Sequence, residues 1–142
     1  EPAQAGELVR RNWSANGFRD DAQSAQWRDL AAGWVQRYLT GHPQPAVPIG
    51  IERTVAAPTA ALAVSGRVDR IDEREGELVV VDYKTGRSEL SDDDARGSQA
   101  LALYAVATER TLRRRCRQVE LHHLPAAPCC EPSTPTNRCS AT

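Results

Sequence analysis

Two apolar runs that flank a Glu-Gly dipeptide constrain the fold of this chain more than any other feature. Residues 62–72 and 77–84 are rich in Val, Leu and Ile, and Glu75-Gly76 lies between them. Apolar runs around a short glycine-containing turn predict a β-hairpin. The second run includes residues 78–81 (LVVV), which are apolar on both faces and indicate a strand inside a sheet that is covered on both sides.

A two-residue turn fixes the pairing along this hairpin. If Glu75 and Gly76 form the turn, Asp69 lies directly opposite Asp82. Directly opposed residues share a face, with Cβ atoms roughly 4.5–5.5 Å apart. Lys84, two positions beyond Asp82, points to the same face. The sequence therefore predicts that two carboxylates and one ammonium group converge.

Such a group of side chains has the chemistry of a metal site. Two adjacent carboxylates repel each other unless a cation lies between them, and hard oxygen ligands suit Mg²⁺, with Mn²⁺ as a close substitute. A bound ion of this kind activates water and polarises a phosphoryl oxygen, and Lys84 would orient the water or stabilise charge on the phosphate. The arrangement favours phosphodiester hydrolysis. The alternative is a cross-strand salt-bridge cluster on a solvated face, in which the two acids pair with Arg67, Arg70 or Lys84.

Three stretches of the chain carry a family resemblance: GRVDRID (66–72), ELVVVDYKTG (77–86) and SQALALYAVA (98–107). They resemble the nuclease domain of RecB-type exonucleases in the PD-(D/E)xK nuclease superfamily, in particular the actinobacterial proteins. The resemblance covers residues 45–124 well and residues 7–40 loosely. It implies an α/β fold with a restriction-endonuclease-like core, in which a central mixed β-sheet is flanked by helices.

The resemblance also implies a role for each site residue. Asp69 and Asp82 would be metal ligands, and Tyr83 would give its backbone carbonyl to the metal. Lys84 would be the catalytic lysine. The implied function is that of a metal-dependent DNA exonuclease in repair and recombination. Because the relatives act beside helicase motors, the implied substrate is single-stranded or unwound DNA, and a helicase partner or fused helicase domain is implied too.

Three further residues are candidates for DNA contacts: Arg67, Gln99 and Tyr104. The hairpin register places Arg67 opposite Lys84. The family has a glutamine four positions before a tyrosine on the helix after DYK, whereas Gln99 and Tyr104 are five positions apart. That spacing turns the two side chains away from a common helical face. In the alternative, Tyr104 packs in the core and Gln99 faces solvent.

The chain departs from the family at both ends. The family commonly carries a histidine or glutamate on its first helix that completes the metal site, but here no histidine precedes His42. We therefore expect the chain to begin downstream of that ligand, to bind Mg²⁺ weakly and to be impaired or inactive. We expect one domain over residues 1–124. Residues 125–142 lose all periodicity, which predicts a disordered or out-of-frame tail.

The cysteines and the charge distribution add little. Some relatives hold an iron–sulfur cluster on four cysteines. The four cysteines of this chain do not have that spacing, so no cluster is expected; they are Cys116, Cys129, Cys130 and Cys139. The net charge of −1 gives no overall attraction to nucleic acid. The basic run 110–117 suits either phosphate contacts or a solvated helix end. The chain has no membrane-length apolar run and opens without a secretory signal, so we expect a cytoplasmic protein that does not bind membranes.

The remaining elements follow from periodicity and breaking residues. Helices are predicted over residues 3–16, from Asp20 or Asp21 to about Leu39, and from 92 to about 113 with Ser91 as N-cap; strands are predicted over 47–56 and 117–124.

Three rivals to the RecB-type exonuclease remain open. They are a non-catalytic module of the same fold that binds DNA or a helicase, a restriction-type endonuclease, and a soluble protein whose hairpin acids form salt bridges.

Overall fold

A computed structural model of the chain describes residues 1–42, 47–58, 63–86, 98–125 and 138–141. Its elements divide into two compact units. The first contains the helices α1 (Pro2–Arg11) and α2 (Asp21–Gly41). The second contains the helix α3 (Gln99–Leu112) and five strands: β1 (Gly50–Pro58), β2 (Ala63–Arg74), β3 (Glu77–Lys84), β4 (Cys116–His123) and β5 (Arg138–Ala141). No described helix is long and apolar enough to span a bilayer.

The two helices of the first unit pack against each other. Asp20 caps α2 as predicted, because its carboxylate accepts the Gln23 N–H at 2.7 Å. The helix α1 ends at Arg11, before the predicted residue 16. Asn12 is the C-cap, and its backbone N–H and its side-chain amide both donate to the Leu8 carbonyl, at 3.1 and 2.9 Å.

The second unit is a mixed sheet with the strand order β1-β2-β3-β4-β5. Only β3 and β4 are parallel, and they are connected by a crossover that includes α3. This arrangement confirms the predicted α/β fold with a central mixed sheet. The sequence predicted no element beyond Pro125, but β5 pairs antiparallel with β4, so the expectation of disorder does not hold for residues 138–141. The rest of the predicted tail, residues 126–137 and 142, lies outside the described residues.

The hairpin between β2 and β3 has the predicted turn and register. Glu75 and Gly76 have φ angles of 53° and 83°. Two consecutive positive φ angles form a type I′ turn, whose twist matches that of the flanking strands. The pairs run from Arg74 opposite Glu77 to Arg70 opposite Val81, and the ladder ends there. The next pair in that register would be Asp69 and Asp82, at the end of the ladder where the candidate site lies.

The helix α3 lies against one face of the sheet and closes the core. Thr111 fastens it to β1, because its hydroxyl accepts the Ala56 N–H at 2.9 Å and donates to the Ala56 carbonyl at 3.2 Å. Its N-cap is Ser98, which accepts the Leu101 N–H. The predicted N-cap Ser91 lies outside the described residues. The core side chains come from α3 and four strands: Val55, Ala57, Val68, Ile71, Leu78, Val80, Leu101, Ala107, Val119 and Leu121.

The turn allows a test of the hairpin geometry. Glu75 adopts a positive φ that costs a residue with a Cβ, whereas asparagine tolerates this region and Asn-Gly is the preferred type I′ pair. We expect Glu75→Asn to raise the free energy of unfolding in urea by about 0.5–1 kcal/mol. Gly76→Ala is the matched control and should lower it, since Gly76 also has a positive φ. An unchanged or lower stability of Glu75→Asn would contradict the assigned turn.

Candidate active site

Asp69 lies where the ladder between β2 and β3 stops. Its Oδ2 accepts the backbone N–H of Tyr83 at 2.8 Å. This bond lies just beyond the last paired residues, Arg70 and Val81, so a side-chain carboxylate satisfies a backbone donor at the end of the ladder. Because Tyr83 lies between Asp82 and Lys84 in the chain, the bond holds the Asp69 carboxylate against the three-residue segment that carries the other two predicted groups.

Asp82 and Lys84 meet in an ion pair at the end of β3. The Lys84 Nζ lies 2.6 Å from the Asp82 Oδ2. Asp82 is only 8% exposed, whereas nearly half of the Lys84 side chain is accessible to solvent. A buried carboxylate is costly without a compensating cation. The ammonium group supplies that charge from the solvent side, where a phosphate or a metal ion would also approach.

The donors at this site fit a hydrated divalent ion. Asp82 Oδ2 is fully shielded from solvent and, apart from its ion pair with Lys84, accepts no hydrogen bond of regular geometry among the described residues. Within the same ranges there is no group of three His, Cys, Asp or Glu side chains that could hold a metal. Ligation of a metal by Asp69, Asp82 and the Tyr83 carbonyl therefore stays a prediction. Mg²⁺ is commonly bound in this way, by one or two carboxylates with several waters retained.

The basic neighbours of the two acids have other partners, apart from Lys84. Arg67, predicted as a possible partner of the acids or of DNA, lies 2.9 Å from Glu52 on the exposed surface. Arg70 lies 2.7 Å from Asp72. Of the salt bridges that the sequence allowed between the acids and Arg67, Arg70 or Lys84, the structure shows the one between Asp82 and Lys84.

Gln99 and Tyr104 occupy different environments. Gln99 is the exposed first residue of α3. Tyr104 is partly buried and packs against the core, with its ring over Gly66: a Cβ at position 66 would lie 2.6 Å from the Tyr104 Cε1. The glycine of the GRVDRID stretch is thus explained by the close approach of an aromatic ring. These positions are those of the packing alternative, and DNA contact by Gln99, Tyr104 or Arg67 stays a prediction.

A buried ion-pair network near the site was missed by the sequence analysis. Arg74 pairs with both carboxylate oxygens of Glu120, at 2.6 and 3.1 Å, and with Asp72 at 3.3 Å. Arg70 extends the network to Asp72, and His122 contacts Glu120 at 2.9 Å. The network therefore joins β2 to β4 across the central strand. The signal in the sequence was the alternation of charges at positions 70, 72 and 74, which places the three side chains on one face of a strand.

Glu120 is ionised by its partners despite its burial. Its side chain is 1% exposed. Burial alone would raise the pKa of Glu120, but hydrogen bonds from His122 and Arg74 and the charge of the Arg74 guanidinium lower it from 4.5 to about 2. Since the pKa is lower in the folded state, the ionised carboxylate stabilises the fold above pH 4.5, and this contribution is lost as the pH falls toward 2.

This sign gives a prediction for acid stability. A pKa change of this size corresponds to about 3 kcal/mol, so we expect Glu120→Gln to lower the free energy of unfolding by about that amount at pH 7. The difference from the parent protein should narrow as the pH falls from 5 to 3, in urea denaturation followed by circular dichroism. Glu73→Gln is the control, because Glu73 forms an exposed pair with Arg114 and should have little effect. A pH-independent cost for Glu120→Gln would contradict the assigned ionisation.

The contact of Tyr104 with Gly66 gives a second prediction. Because a Cβ at position 66 meets the tyrosine ring, Gly66→Ala must displace the ring. We expect a loss of about 1–3 kcal/mol in unfolding free energy, as for other overpacked sites. Tyr104→Leu removes the ring, so the double variant should lose less than the sum of the two single variants. Strictly additive losses would mean that the ring does not rest on Gly66.

Cys116 is the cysteine whose side chain the structure describes. Cys116 is a free, partly buried thiol whose pKa is raised by burial. Cys129 and Cys130 lie outside the described residues. The expectation that the chain holds no iron–sulfur cluster stays a prediction.

Comparison with known families gives a match to a nuclease superfamily. The family model of the PD-(D/E)XK nuclease superfamily matches residues 1–127, which include the sheet from β1 to β4 and all the predicted site residues. No curated protein matches the chain.

Proposed function

The chain belongs to the PD-(D/E)XK nuclease superfamily, and on that premise we propose that it is a divalent-metal-dependent deoxyribonuclease that hydrolyses phosphodiester bonds. The observation that carries the proposal is the convergence at the end of β3. One carboxylate is bonded to the Tyr83 backbone, and the neighbouring carboxylate is paired with Lys84. Nuclease chemistry needs such a combination of acidic oxygens and a nearby cation.

In this proposal the two carboxylates and the Tyr83 carbonyl hold Mg²⁺ or Mn²⁺. The bound ion would activate a water and polarise the scissile phosphate. Asp69 fixes the backbone of the motif through its bond to Tyr83, so the donors are held in place before the ion arrives. Lys84, half-exposed at the rim, would orient the water or stabilise negative charge on the phosphate.

The finer assignment is a RecB-type exonuclease of DNA repair and recombination, located in the cytoplasm and acting on single-stranded or unwound DNA beside a helicase. Its support is the resemblance of the GRVDRID and DYKTG stretches to that branch of the superfamily. One observation favours a second candidate, a non-catalytic module that binds DNA or a helicase. Within the described ranges the site offers only two carboxylates and no group of three metal-binding side chains.

The decisive experiment is a cleavage assay with end-labelled single- and double-stranded DNA and with closed circular DNA, with and without Mg²⁺ or Mn²⁺. We expect slow, metal-dependent cleavage that needs a free end. Asp82→Asn and Lys84→Met should each reduce the rate by about 100-fold or more, because each removes a charge that acts on the reacting phosphate or its metal. Glu73→Gln, which alters an exposed acid of the same strand as Asp69, is the control and should cleave normally.

The other outcomes separate the rivals. Cleavage that is unchanged by Asp82→Asn or Lys84→Met would contradict the site assignment. DNA binding without cleavage in either metal would support the non-catalytic module. Nicking of the closed circle would identify an endonuclease.

A further inference from the structure

His123 presents an unused acceptor beside the candidate site. Its Nε2 lies 2.6 Å from the carbonyl oxygen of Gly86. Because a carbonyl only accepts, Nε2 carries the proton and donates it. In a neutral imidazole the other nitrogen, Nδ1, is then an acceptor. That Nδ1 is fully buried and has no hydrogen-bond partner among the described residues, in a side chain that is only 7% exposed.

The register between β3 and β4 places this ring next to Lys84. Lys84 and His123 are paired residues in the parallel ladder, so their side chains leave the sheet on the same face, from strands about 4.8 Å apart. His122, the preceding residue, points to the opposite face and contacts Glu120. The two consecutive histidines therefore lie on different faces of the sheet, and His123 shares its face with Lys84.

We propose that His123 is a positioning residue for Lys84, whose ammonium it receives on Nδ1 when a divalent ion occupies Asp82. This proposal rests on the proposed function. A divalent cation at Asp82 repels an ammonium group 2.6 Å from the same oxygen, so Lys84 must give up that contact. An ammonium group has three donors. The buried Nδ1 of His123 offers it one acceptor on the face of the sheet from which the Lys84 side chain leaves.

The bond to Gly86 contributes a second element of positioning. Gly86 lies two residues beyond Lys84, just after the end of β3. The bond from His123 ties this segment to β4, so the backbone on both sides of Lys84 is fixed, by the ladder before it and by the histidine after it. A purely structural role for His123 would consist of this bond alone, and a test must separate the bond from the free nitrogen.

His123→Gln makes that separation. The glutamine amide reaches about as far as Nε2, so it can still donate to the Gly86 carbonyl, but it has no acceptor at the position of Nδ1. His122→Gln is the matched control on the opposite face. Lys84 is the only lysine in the chain, where lysine and arginine together number 18. Labelling with ¹³C-lysine therefore gives a single side-chain Cε signal that reports on this residue.

The first measurement is calorimetric titration with Mg²⁺ at pH 8, where an ordinary histidine is neutral. We expect His123→Gln to raise the Mg²⁺ Kd roughly fivefold, because the displaced ammonium loses its acceptor. In a Lys84→Met background, with no ammonium to receive, the same substitution should leave Kd unchanged. His122→Gln should leave Kd unchanged in both backgrounds. An equal effect of His123→Gln with and without Lys84 would overturn the proposal in favour of a structural role.

The second measurement needs neither metal nor activity. Asp82→Asn removes the carboxylate charge and imitates the loss of the Asp82–Lys84 pair. We expect His123→Gln to shift the Lys84 Cε signal more in the Asp82→Asn background than in the parent chain. Equal shifts would overturn the proposal. If His123→Gln fails to fold, a nuclear Overhauser effect between the Lys84 Hε protons and the His123 ring in Asp82→Asn supports the proposal, and its absence overturns it.

Failure of the proposed function gives a different pattern. If the parent protein shows no Mg²⁺ binding and no cleavage, the metal-dependent nuclease proposal falls. The Asp82→Asn spectra then decide alone on the contact between His123 and Lys84. In an active protein, the positioning role also predicts a lower kcat for His123→Gln with an unchanged KM for DNA, since Nδ1 contacts the lysine and not the substrate.

Discussion

The burial of β3 on both faces is the constraint from which the rest of the second unit follows. Residues 78–81 of this strand are at most 3% exposed. A strand in such surroundings must have both edges paired, because unpaired backbone groups away from water are costly. The I′ turn supplies β2 at one edge, and the crossover that includes α3 supplies β4 at the other. The strand ends at Asp82-Tyr83-Lys84, so these candidate site residues lie where three strands meet and where their backbones are held from both sides.

The polar side chains near the end of β3 form two groups with opposite properties. In the network around Glu120 the carboxylates of Glu120 and Asp72 are both matched by arginines, and the pKa of Glu120 is correspondingly low. At the candidate site Asp82 Oδ2 is paired with the Lys84 ammonium, and His123 Nδ1 has no hydrogen-bond partner among the described residues. A closed network stabilises a fold, whereas a buried polar atom without a partner is costly and calls for an explanation.

The sequence predicted what depends on local rules and missed what depends on packing. The hairpin register followed from the turn at Glu75-Gly76, and the N-cap of α2 followed from Asp20. The predicted end of α1 was wrong because the helix stops at the C-cap Asn12, a local feature that hydrophobic periodicity does not include. The position of Tyr104 over Gly66 joins a helix to a strand 38 residues away, and no spacing rule within α3 contains that contact. The separate partners of His122 and His123 likewise depended on the register of β4 against β3.

The use of lysine at position 84 is itself informative. Every other basic side chain among the 18 lysines and arginines is an arginine, including those that stabilise the buried network. A guanidinium forms a rigid fork that holds a carboxylate through two parallel bonds, as Arg74 holds Glu120. An ammonium is a compact charge on a flexible stem with three equivalent donors, so it can exchange one acceptor for another at small cost. In the proposed mechanism Lys84 neutralises Asp82 in the free protein and moves when a cation or a phosphate arrives, which needs that property. An arginine at this position would instead form a second fork-like ion pair with Asp82.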